Sequence, residues 1–254
     1  MNQATSAAVD PCRNPASFDT SSVAEEFRAL VASRRSVRRF SDEEIPETVI
    51  LDAIQLGKLA PNSSNLQPWE FHVVRRKASG RFVEACLNQN AARTASHLIV
   101  VVADAGCWKK HSRQLIQSWP TNPPPPIVRR YYNTLVPLMY TQGPLSIIGR
   151  LRQLIVTVLR PFRPTYRPPC SNADMITWAT KSAALAAAHI MLGLKAHGYD
   201  SCAMEGFDDS RIRHHLGLRR GKSVTMILAV GTCAPQGIYS ERVRFPDATD
   251  IHFH

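Results

Sequence analysis

The stretch DMITWATKSAALAAAHIMLGLKAH, residues 174–197, contributes most to the choice of fold class. Alanine, leucine and methionine favour a helix, and no proline interrupts the stretch. Apolar residues lie around most of the circumference of that helix, which is typical of a buried helix. The stretch therefore predicts a long central helix, placed either in a core or at a subunit interface.

Four apolar segments on either side of this helix have the pattern of β-strands. SHLIVVVA, residues 96–103, and VTMILAV, residues 224–230, are continuous apolar runs with β-branched residues, which is typical of strands buried on both faces. WEFHVV, residues 69–74, alternates between apolar and polar positions, and SCAM, residues 201–204, is a short strand after the long helix. The order of these strands and the helices predicts an α+β fold with a small sheet covered by helices.

Three shorter helices are expected near the N-terminus. A capping box at Ser22–Glu25 should begin a helix over 22–33. Pro46 suits the first position of a second helix, which keeps the helical period to about residue 58. A third helix is expected over 78–87.

The composition suits one large domain. With 254 residues, of which 44% are apolar, the chain can bury a substantial core. Residues 1–20 are polar and small, so we expect a flexible N-terminal arm followed by a single domain over 21–254. The six cysteines show no CxxC pair or metal-type spacing, and no secretory pattern begins the chain. We therefore expect free thiols, a cytoplasmic location and no metal site.

The net charge of +11 comes from one segment of the chain. No acidic residue occurs between Asp104 and Asp174, and removing the ten basic residues of this interval from the total of 31 leaves 21 cations against 20 acids. The ten are Lys109, Lys110, Arg113, Arg129, Arg130, Arg150, Arg152, Arg160, Arg163 and Arg167. Residues 108–172 also hold 11 of the 18 prolines, so we interpret them as an insertion into the domain. Because the rest of the chain is nearly neutral and has no recognition motif, nucleic acid is not an expected partner.

Two basic clusters lie far apart in the sequence. Four arginines surround Ser36 in SRRSVRRF, residues 33–40, and RVR, residues 242–244, supplies a second pair. Guanidinium groups bind phosphate through charge-assisted hydrogen bonds, to which a serine hydroxyl adds a donor. The chain has no GxxxxGK[ST] loop and no GxGxxG turn, so it offers neither a P-loop nor a Rossmann site. The two clusters could instead converge on one phosphate.

Five stretches, taken in order, resemble the FMN-dependent nitroreductase superfamily. They are RRSVRRF (34–40), APNSSNLQPWEFHVV (60–74), LNQNAARTASHLIVV (87–101), AMEGFD (203–208) and ERVRFP (241–246). The resemblance covers nearly all of the chain except the first 20 residues and the insertion. It implies a nitroreductase-like fold: a small central sheet, mostly antiparallel or mixed, flanked by helices, with a long central dimer helix and a C-terminal tail that wraps the domain. It also implies an obligate homodimer with two FMN sites in its interface.

The same resemblance assigns residues to the FMN site. The N-terminal motif and the C-terminal basic pair would bind the phosphate, the ribityl chain and the pyrimidine edge of the ring. Asn88 would contact the ring, the backbone of Glu205 and Gly206 would lie near flavin N5, and the Asn62–Asn65 loop would reach the FMN of the partner subunit. The assigned positions are Arg34, Arg35, Ser36, Arg38, Asn62, Ser63, Asn65, Asn88, Glu205, Gly206, Arg242 and Arg244.

The function that the resemblance implies is that of an FMN-dependent oxidoreductase. NAD(P)H would reduce FMN by hydride transfer, and an electron-poor small molecule, such as a nitroaromatic or a quinone, would then take the electrons in a ping-pong cycle. No side-chain nucleophile or general base is needed, and Arg38 would stabilise the negative charge of the reduced ring. Two alternatives stay open: an FMN-binding, membrane-associated accessory protein without nicotinamide turnover, and an FMN-dependent dehydrogenase.

The insertion contains one clear helical pattern and several aromatic residues. Apolar residues at helical spacing predict an amphipathic helix over 147–159, which is too short to span a bilayer. Three roles are open for the insertion. It could be a lid over the flavin, dock on an anionic membrane surface through 147–159, or add structure that wraps the dimer. The aromatic walls of such a lid would be Trp108, Trp119, Tyr131, Tyr132 and Tyr140.

Overall fold

The computed structural model describes residues 20–246 and 249–253. The arm expected at 1–20 lies outside the described residues, apart from Thr20, where the first helix begins. In chain order the elements are α1 (Thr20–Ser33), α2 (Glu47–Lys58), β1 (Trp69–Arg75), α3 (Gly80–Ala85), α4 (Asn90–Thr94), β2 (His97–Asp104), α5 (Trp108–Gln117), α6 (Pro126–Arg130), α7 (Val136–Tyr140), α8 (Ile147–Leu159), α9 (Asn172–Ala196), β3 (Asp200–Met204), α10 (Asp209–Leu216) and β4 (Lys222–Gly231). A π-helical turn, Tyr131–Leu135, joins α6 to α7.

The four strands form one sheet in the order β1-β2-β4-β3, and each neighbouring pair is antiparallel. The two continuous apolar runs became the central strands β2 and β4, because only strands covered on both faces can bury every side chain. The shorter strands β1 and β3 are the edges. A parallel bridge between Ser36 and Ser201 extends the β3 edge, so the expected small and mostly antiparallel sheet is confirmed.

Helix α9 packs on the sheet through one face and also contacts α2. Two glycines allow α2 and α9 to approach closely. A Cβ atom at Gly57 would lie 2.5 Å from Ile190 Cγ1, and one at Gly193 would lie 2.8 Å from Leu56 Cδ1. The opposite face of α9 is exposed around Leu185. The expected burial of this helix therefore holds for one of its two faces within the single chain.

Two details near the N-terminus differ from the expectation. The capping box at Ser22 is wrong, because α1 begins at Thr20 and the Ser22 hydroxyl donates to Glu26 Oε1 from inside the helix at 3.2 Å. The helix expected over 78–87 is shorter, since α3 ends at Ala85 and the chain turns through the left-handed conformations of Leu87 and Asn88. Helix α1 buries none of its side chains, and Phe27 is 57% exposed.

The insertion is mostly helical and contains α5 to α8. The helix predicted over 147–159 is present as α8, and the side with Gly149 and Arg152 faces the protein. A Cβ atom at Gly149 would lie 2.1 Å from the carbonyl oxygen of Cys170, and Arg152 donates to the carbonyl oxygen of Pro169 at 2.6 Å. The apolar side chains of α8 point outward and are exposed: Ile147, Ile148, Leu151, Leu154, Ile155 and Val158.

The chain that follows β4 runs back along the segment between α1 and α2. The backbone amide of Ser41 donates to the carbonyl oxygen of Thr232 at 2.9 Å, and that of Arg38 donates to Gly237 at 2.7 Å. The predicted C-terminal tail thus pairs with the first arginine cluster. This pairing brings residues about 200 positions apart in the sequence into contact.

Candidate functional site

The two basic clusters line one cleft of about 200 Å³. The first cluster follows α1 directly, and the second lies in the tail after β4. The residues around the cleft are Arg34, Arg35, Ser36, Arg38, Ile238, Tyr239, Ser240, Glu241, Arg242, Val243 and Arg244. All six cofactor-binding positions assigned to these two clusters from the sequence therefore lie together. We name this feature the arginine cleft.

Two of the arginines hold the cleft together. Arg35 Nη2 donates to the carbonyl oxygen of Ser240 at 2.5 Å, and Arg242 Nη2 donates to the carbonyl oxygen of Arg34. Each bond joins the segment after α1 to the C-terminal tail. Arg35 and Arg242 therefore have a structural role in the cleft that the sequence did not distinguish from anion binding.

The charge balance of the cleft depends on its other three arginines. Among the described residues, no carboxylate forms an ion pair with Arg34, Arg38 or Arg244. Burial lowers the pKa of the Arg34 guanidinium from its ordinary value, and the positive charges of Arg242 and Arg244 lower it further. Such a group of like charges is unfavourable until an anion neutralises it, and a phosphate dianion offers acceptors for several guanidinium donors.

Arg38 lies over the ring of Tyr239, with its guanidinium carbon 5.8 Å from the ring centroid. This is within the range of a cation–π contact, which orients the side chain without neutralising its charge. Arg38 is exposed, whereas Arg34 is half-buried. Sequence reasoning missed Tyr239, because nothing in its neighbourhood marks an aromatic residue as part of the site.

A second group of predicted residues meets at the end of strand β3. Gln89 Nε2 donates to the carbonyl oxygen of Gly206 at 2.5 Å, so the turn that carries Asn88 lies against the Glu205–Gly206 dipeptide. Asn88 itself is exposed and left-handed, with φ 53°, a conformation that asparagine tolerates better than most residues. Gln89 was missed from the sequence, although its position beside Asn88 could have suggested it.

The arginine cleft and this second group lie along the same strand. Ser36 forms a bridge with Ser201 near the start of β3, and Glu205 follows its end. The strand ends at Met204, and the chain turns at Glu205 and Gly206, where the Phe207 amide donates to the carbonyl oxygen of Glu205 at 3.1 Å. Strand β3 therefore connects the arginine cleft near its start to the Glu205–Gly206 turn at its end.

The third group, the Asn62–Asn65 loop, lies at the opposite edge of the sheet. It precedes β1, the edge strand opposite β3, and three interstrand spacings amount to about 14 Å. Asn62 Oδ1 accepts a hydrogen bond from the backbone amide of Gln67 at 2.7 Å and closes the loop on itself. The structure thus does not bring Asn62, Ser63 and Asn65 to the other predicted residues of the same chain.

The described cysteines are free thiols, and most are buried. Burial raises the pKa of Cys86 to about 11 and, together with the charge of Asp104, that of Cys107 to about 12. Within 20–246 and 249–253 no three His, Cys, Asp or Glu side chains form a group that could hold a metal ion. The raised pKa values mean that Cys86 and Cys107 are not reactive thiols, and the described residues offer no metal site as an alternative to the arginine cleft.

The family model described as "Nitroreductase family" matches residues 31–232, which span both the first arginine cluster and strand β4. The chain belongs to the nitroreductase family. The four-stranded sheet and the long helix α9 belong to a nitroreductase-like fold, which confirms the fold predicted from the five stretches.

Several relatives of this nitroreductase-family chain are similar over most of their length. The NADH dehydrogenase of Thermus thermophilus is 25% identical over 219 residues, which cover 86% of this chain and 92% of that protein. The oxygen-insensitive NADPH nitroreductase of Helicobacter pylori is 26% identical, over 82% of this chain and 87% of that protein. A structure from Exiguobacterium sibiricum, solved in complex with FMN, has a TM-score of 0.67 at 21% identity and covers 90% of this chain and 97% of its own.

Proposed function

We propose that this protein is an FMN-dependent oxidoreductase that takes its electrons from NAD(P)H. Family membership supports an oxidoreductase, and the arginine cleft is the observation that carries the cofactor assignment. Its cations form no ion pair with a described carboxylate, and together with the lowered pKa of Arg34 they fit a phosphate dianion. When bound, FMN would supply hydride chemistry, accepting electrons from NAD(P)H and passing them to an electron-poor small molecule such as a nitroaromatic or a quinone.

The residues of this chain would bind and orient the cofactor. Arg34 and Arg244 would hold the phosphate, and Ser36 would add a hydroxyl donor. Arg38 would place a positive charge near the pyrimidine edge and stabilise the anionic reduced ring. Ser36 and the Glu205–Gly206 dipeptide lie at opposite ends of strand β3, and Gln89 joins the Asn88 turn to Gly206. This arrangement supports the placement of Glu205, Gly206 and Asn88 beside the ring.

We further propose that the protein acts as a homodimer. The Asn62–Asn65 loop cannot reach the β3 edge of its own chain, so a second copy must supply it if the loop contacts the flavin. Helices α1 and α9 contact each other, and both have exposed apolar side chains, including Phe27 and Leu185. These side chains would be covered in such a dimer, which explains why α9 is apolar around most of its circumference.

The test of this function is an anaerobic titration of the FMN-reconstituted protein with NADPH and NADH. The protein should be yellow, and its flavin absorption should bleach with one of the two donors and return when a nitroaromatic or a quinone is added. Bound FMN that neither donor bleaches would favour the accessory protein instead. Bleaching by an oxidisable substrate but not by NAD(P)H would favour the dehydrogenase. A protein that cannot be reconstituted with FMN would contradict all three readings.

We propose a cytoplasmic location with a peripheral contact to anionic membrane lipid through α8. The free thiols support a reducing compartment. Among the described residues, no helix combines the length and apolar character that crossing a membrane requires. The outward apolar face of α8 and the ten cations of its segment complement an anionic lipid surface. A second copy of the chain would place the same ten cations opposite them, and the like charges would repel.

The membrane contact is tested by co-sedimentation with phosphatidylcholine vesicles that contain or lack phosphatidylserine. Wild-type protein should bind only the anionic vesicles, and L151S/L154S should abolish binding, while Thr157→Ala on the same helix should leave it unchanged. Absence of binding to anionic vesicles contradicts the proposal. A loss of dimer mass in L151S/L154S would assign this face to a second copy of the chain.

A further inference from the structure

The insertion contacts the Asn62–Asn65 loop through three tyrosine hydroxyl groups. The Tyr131 and Ser64 hydroxyls lie 2.8 Å apart, and the Tyr132 hydroxyl donates to the carbonyl oxygen of Ser64 at 3.1 Å. The Tyr140 hydroxyl lies 3.2 Å from the hydroxyls of both Ser63 and Ser64. We name Tyr131, Tyr132 and Tyr140 the tyrosine clasp.

The loop that the clasp holds is strained. Ser64, Asn65 and Gln67 all have left-handed backbone conformations, with φ of 59°, 49° and 47°. A residue with a Cβ atom pays a steric cost in this region, and such conformations persist where surrounding contacts enforce them. Ser64 sits at the centre of the clasp and has the largest of the three positive φ angles. The hydroxyl groups of the insertion therefore supply contacts that keep the loop in this shape.

The clasp is itself held rigidly by the core. Tyr140 is only 1% exposed, and its ring centroid lies 4.7 Å from that of Trp178 in α9 and 6.3 Å from that of Trp108. Tyr131 and Tyr132 pack edge to face at 5.1 Å. Burial raises the pKa of Tyr132, which keeps its hydroxyl protonated as a donor. The five aromatic residues considered as walls of a lid thus pack in or against the core, and none of them lines the arginine cleft.

We propose that the tyrosine clasp positions the Asn62–Asn65 loop for its contact with the flavin of a second copy. The segment 108–172 would then act on the cofactor site through the loop that it braces. The proposal rests on the proposed function, because the loop meets a flavin only in an FMN-dependent homodimer. The tyrosines are positioning residues, since they contact Ser63 and Ser64 and are not placed in contact with the cofactor itself.

The test uses the double variant Tyr131→Phe, Tyr140→Phe, which keeps both rings and removes three of the four hydroxyl contacts. The matched control is Tyr199→Phe. Tyr199 is half-buried and packs against the same core, but its hydroxyl forms no hydrogen bond with a described residue. In the flavin-free protein, amide hydrogen exchange over residues 62–67 should be about tenfold faster in the double variant than in wild type or the control. Exchange in β2 and β4 should stay unchanged.

The second measurement is FMN binding. The dissociation constant for FMN should rise about tenfold in the double variant and less than twofold in Tyr199→Phe. Unchanged exchange over 62–67 would overturn the clasp, and faster exchange with unchanged FMN affinity would overturn its action on the cofactor site. A wild-type protein that binds no FMN would instead overturn the proposed function, while the exchange measurement still decides whether the clasp holds the loop.

A mixed dimer shows which flavin the clasped loop serves. One chain carries the two Tyr→Phe changes, and its differently tagged partner carries Arg34→Ala and Arg244→Ala. If the loop acts on the flavin of the other chain, both defects fall on one site and the second site keeps wild-type FMN affinity. If the loop served its own chain, each site would carry one defect. A mixed dimer without a wild-type site would overturn the proposal.

Discussion

Removal of Arg34 should weaken the binding of FMN far more than the binding of riboflavin, which lacks the phosphate. Arg34 lies half-buried in the arginine cleft, its guanidinium has no acidic partner among the described residues, and its pKa is lowered by burial and by neighbouring arginines. An anion in the cleft would relieve this repulsion. Arg34→Ala therefore deletes a group whose main favourable interaction is with the ligand.

The size of the effect follows from the environments of Arg34 and Arg244, the two arginines proposed to hold the phosphate. A hydrogen bond to a charged group contributes about 1.5–3 kcal/mol, with the upper end suited to partly buried sites. Arg34 is half-buried, so its loss should cost about 3 kcal/mol, or roughly a 150-fold rise in the dissociation constant. Arg244 is exposed, and its loss should cost about 1.5 kcal/mol, or roughly tenfold.

The assay is fluorescence titration of flavin-free protein with FMN and, separately, with riboflavin. Arg34→Ala should leave riboflavin affinity within about twofold of wild type, because the ring contacts are untouched. The control is Arg39→Ala, an exposed arginine of the same stretch that does not line the cleft. Equal losses for FMN and riboflavin would show that Arg34 supports the ring rather than the phosphate. Equal effects of Arg34→Ala and Arg39→Ala would refute the assignment of the cleft.

Three further predictions concern the arginine cleft, the buried thiol of Cys107 and the carboxylate of Asp174. Inorganic phosphate at millimolar concentration should raise the Tm of the flavin-free protein in a thermal shift assay. Arg244→Ala should reduce this rise in Tm, and an equal rise in the variant would contradict a specific anion site. Cys107 should resist alkylation at pH 8 in the folded protein, because a pKa of about 12 leaves almost no thiolate, and mass spectrometry of its peptide checks this. The Cys170 backbone amide donates to Asp174 Oδ2 at 2.9 Å and lowers the pKa of Asp174. The ionised Asp174 carboxylate therefore stabilises the folded protein above its unfolded pKa near 4, and this stabilisation is lost as the pH falls through the lower folded pKa. Chemical unfolding should accordingly show a wild-type advantage over Asp174→Asn at pH 6 that narrows at pH 3, and a constant difference would argue against this linkage.

The elements with strong periodicity were predictable from the sequence. The helix at 147–159 and the central strands appear where their patterns place them, because burial on one or both faces leaves a period that is readable residue by residue. The capping box at Ser22 failed because a serine followed by a glutamate three positions later also occurs inside helices. The left-handed turn at Leu87 and Asn88 shortened α3, and leucine gives no signal for that conformation.

The convergence of Arg34 and Arg242 could only be suggested from the sequence. The arginine side chains predicted that both clusters bind an anion, but 208 positions separate Arg34 from Arg242. Only the pairing of the C-terminal tail with the segment after α1 brings these two residues together. The same pairing divided the arginines into two roles. Arg35 and Arg242 join the two segments, whereas Arg34 and Arg244 form no such bond between the segments among the described residues, and we propose that they bind the phosphate.

Residue types and their spacing by themselves determined the fold class, the cationic character of the site and the amphipathic helix α8, because these depend on local pattern. Tertiary structure alone decided which side of α8 faces outward. The helical period shows an apolar side, but only the packed chain shows that Gly149 and Arg152 contact Cys170 and Pro169. It also decided that the tyrosines of the insertion hold Ser63 and Ser64. Hydrogen bonds between residues about 70 positions apart depend on the packing of the whole chain, and no local pattern records them.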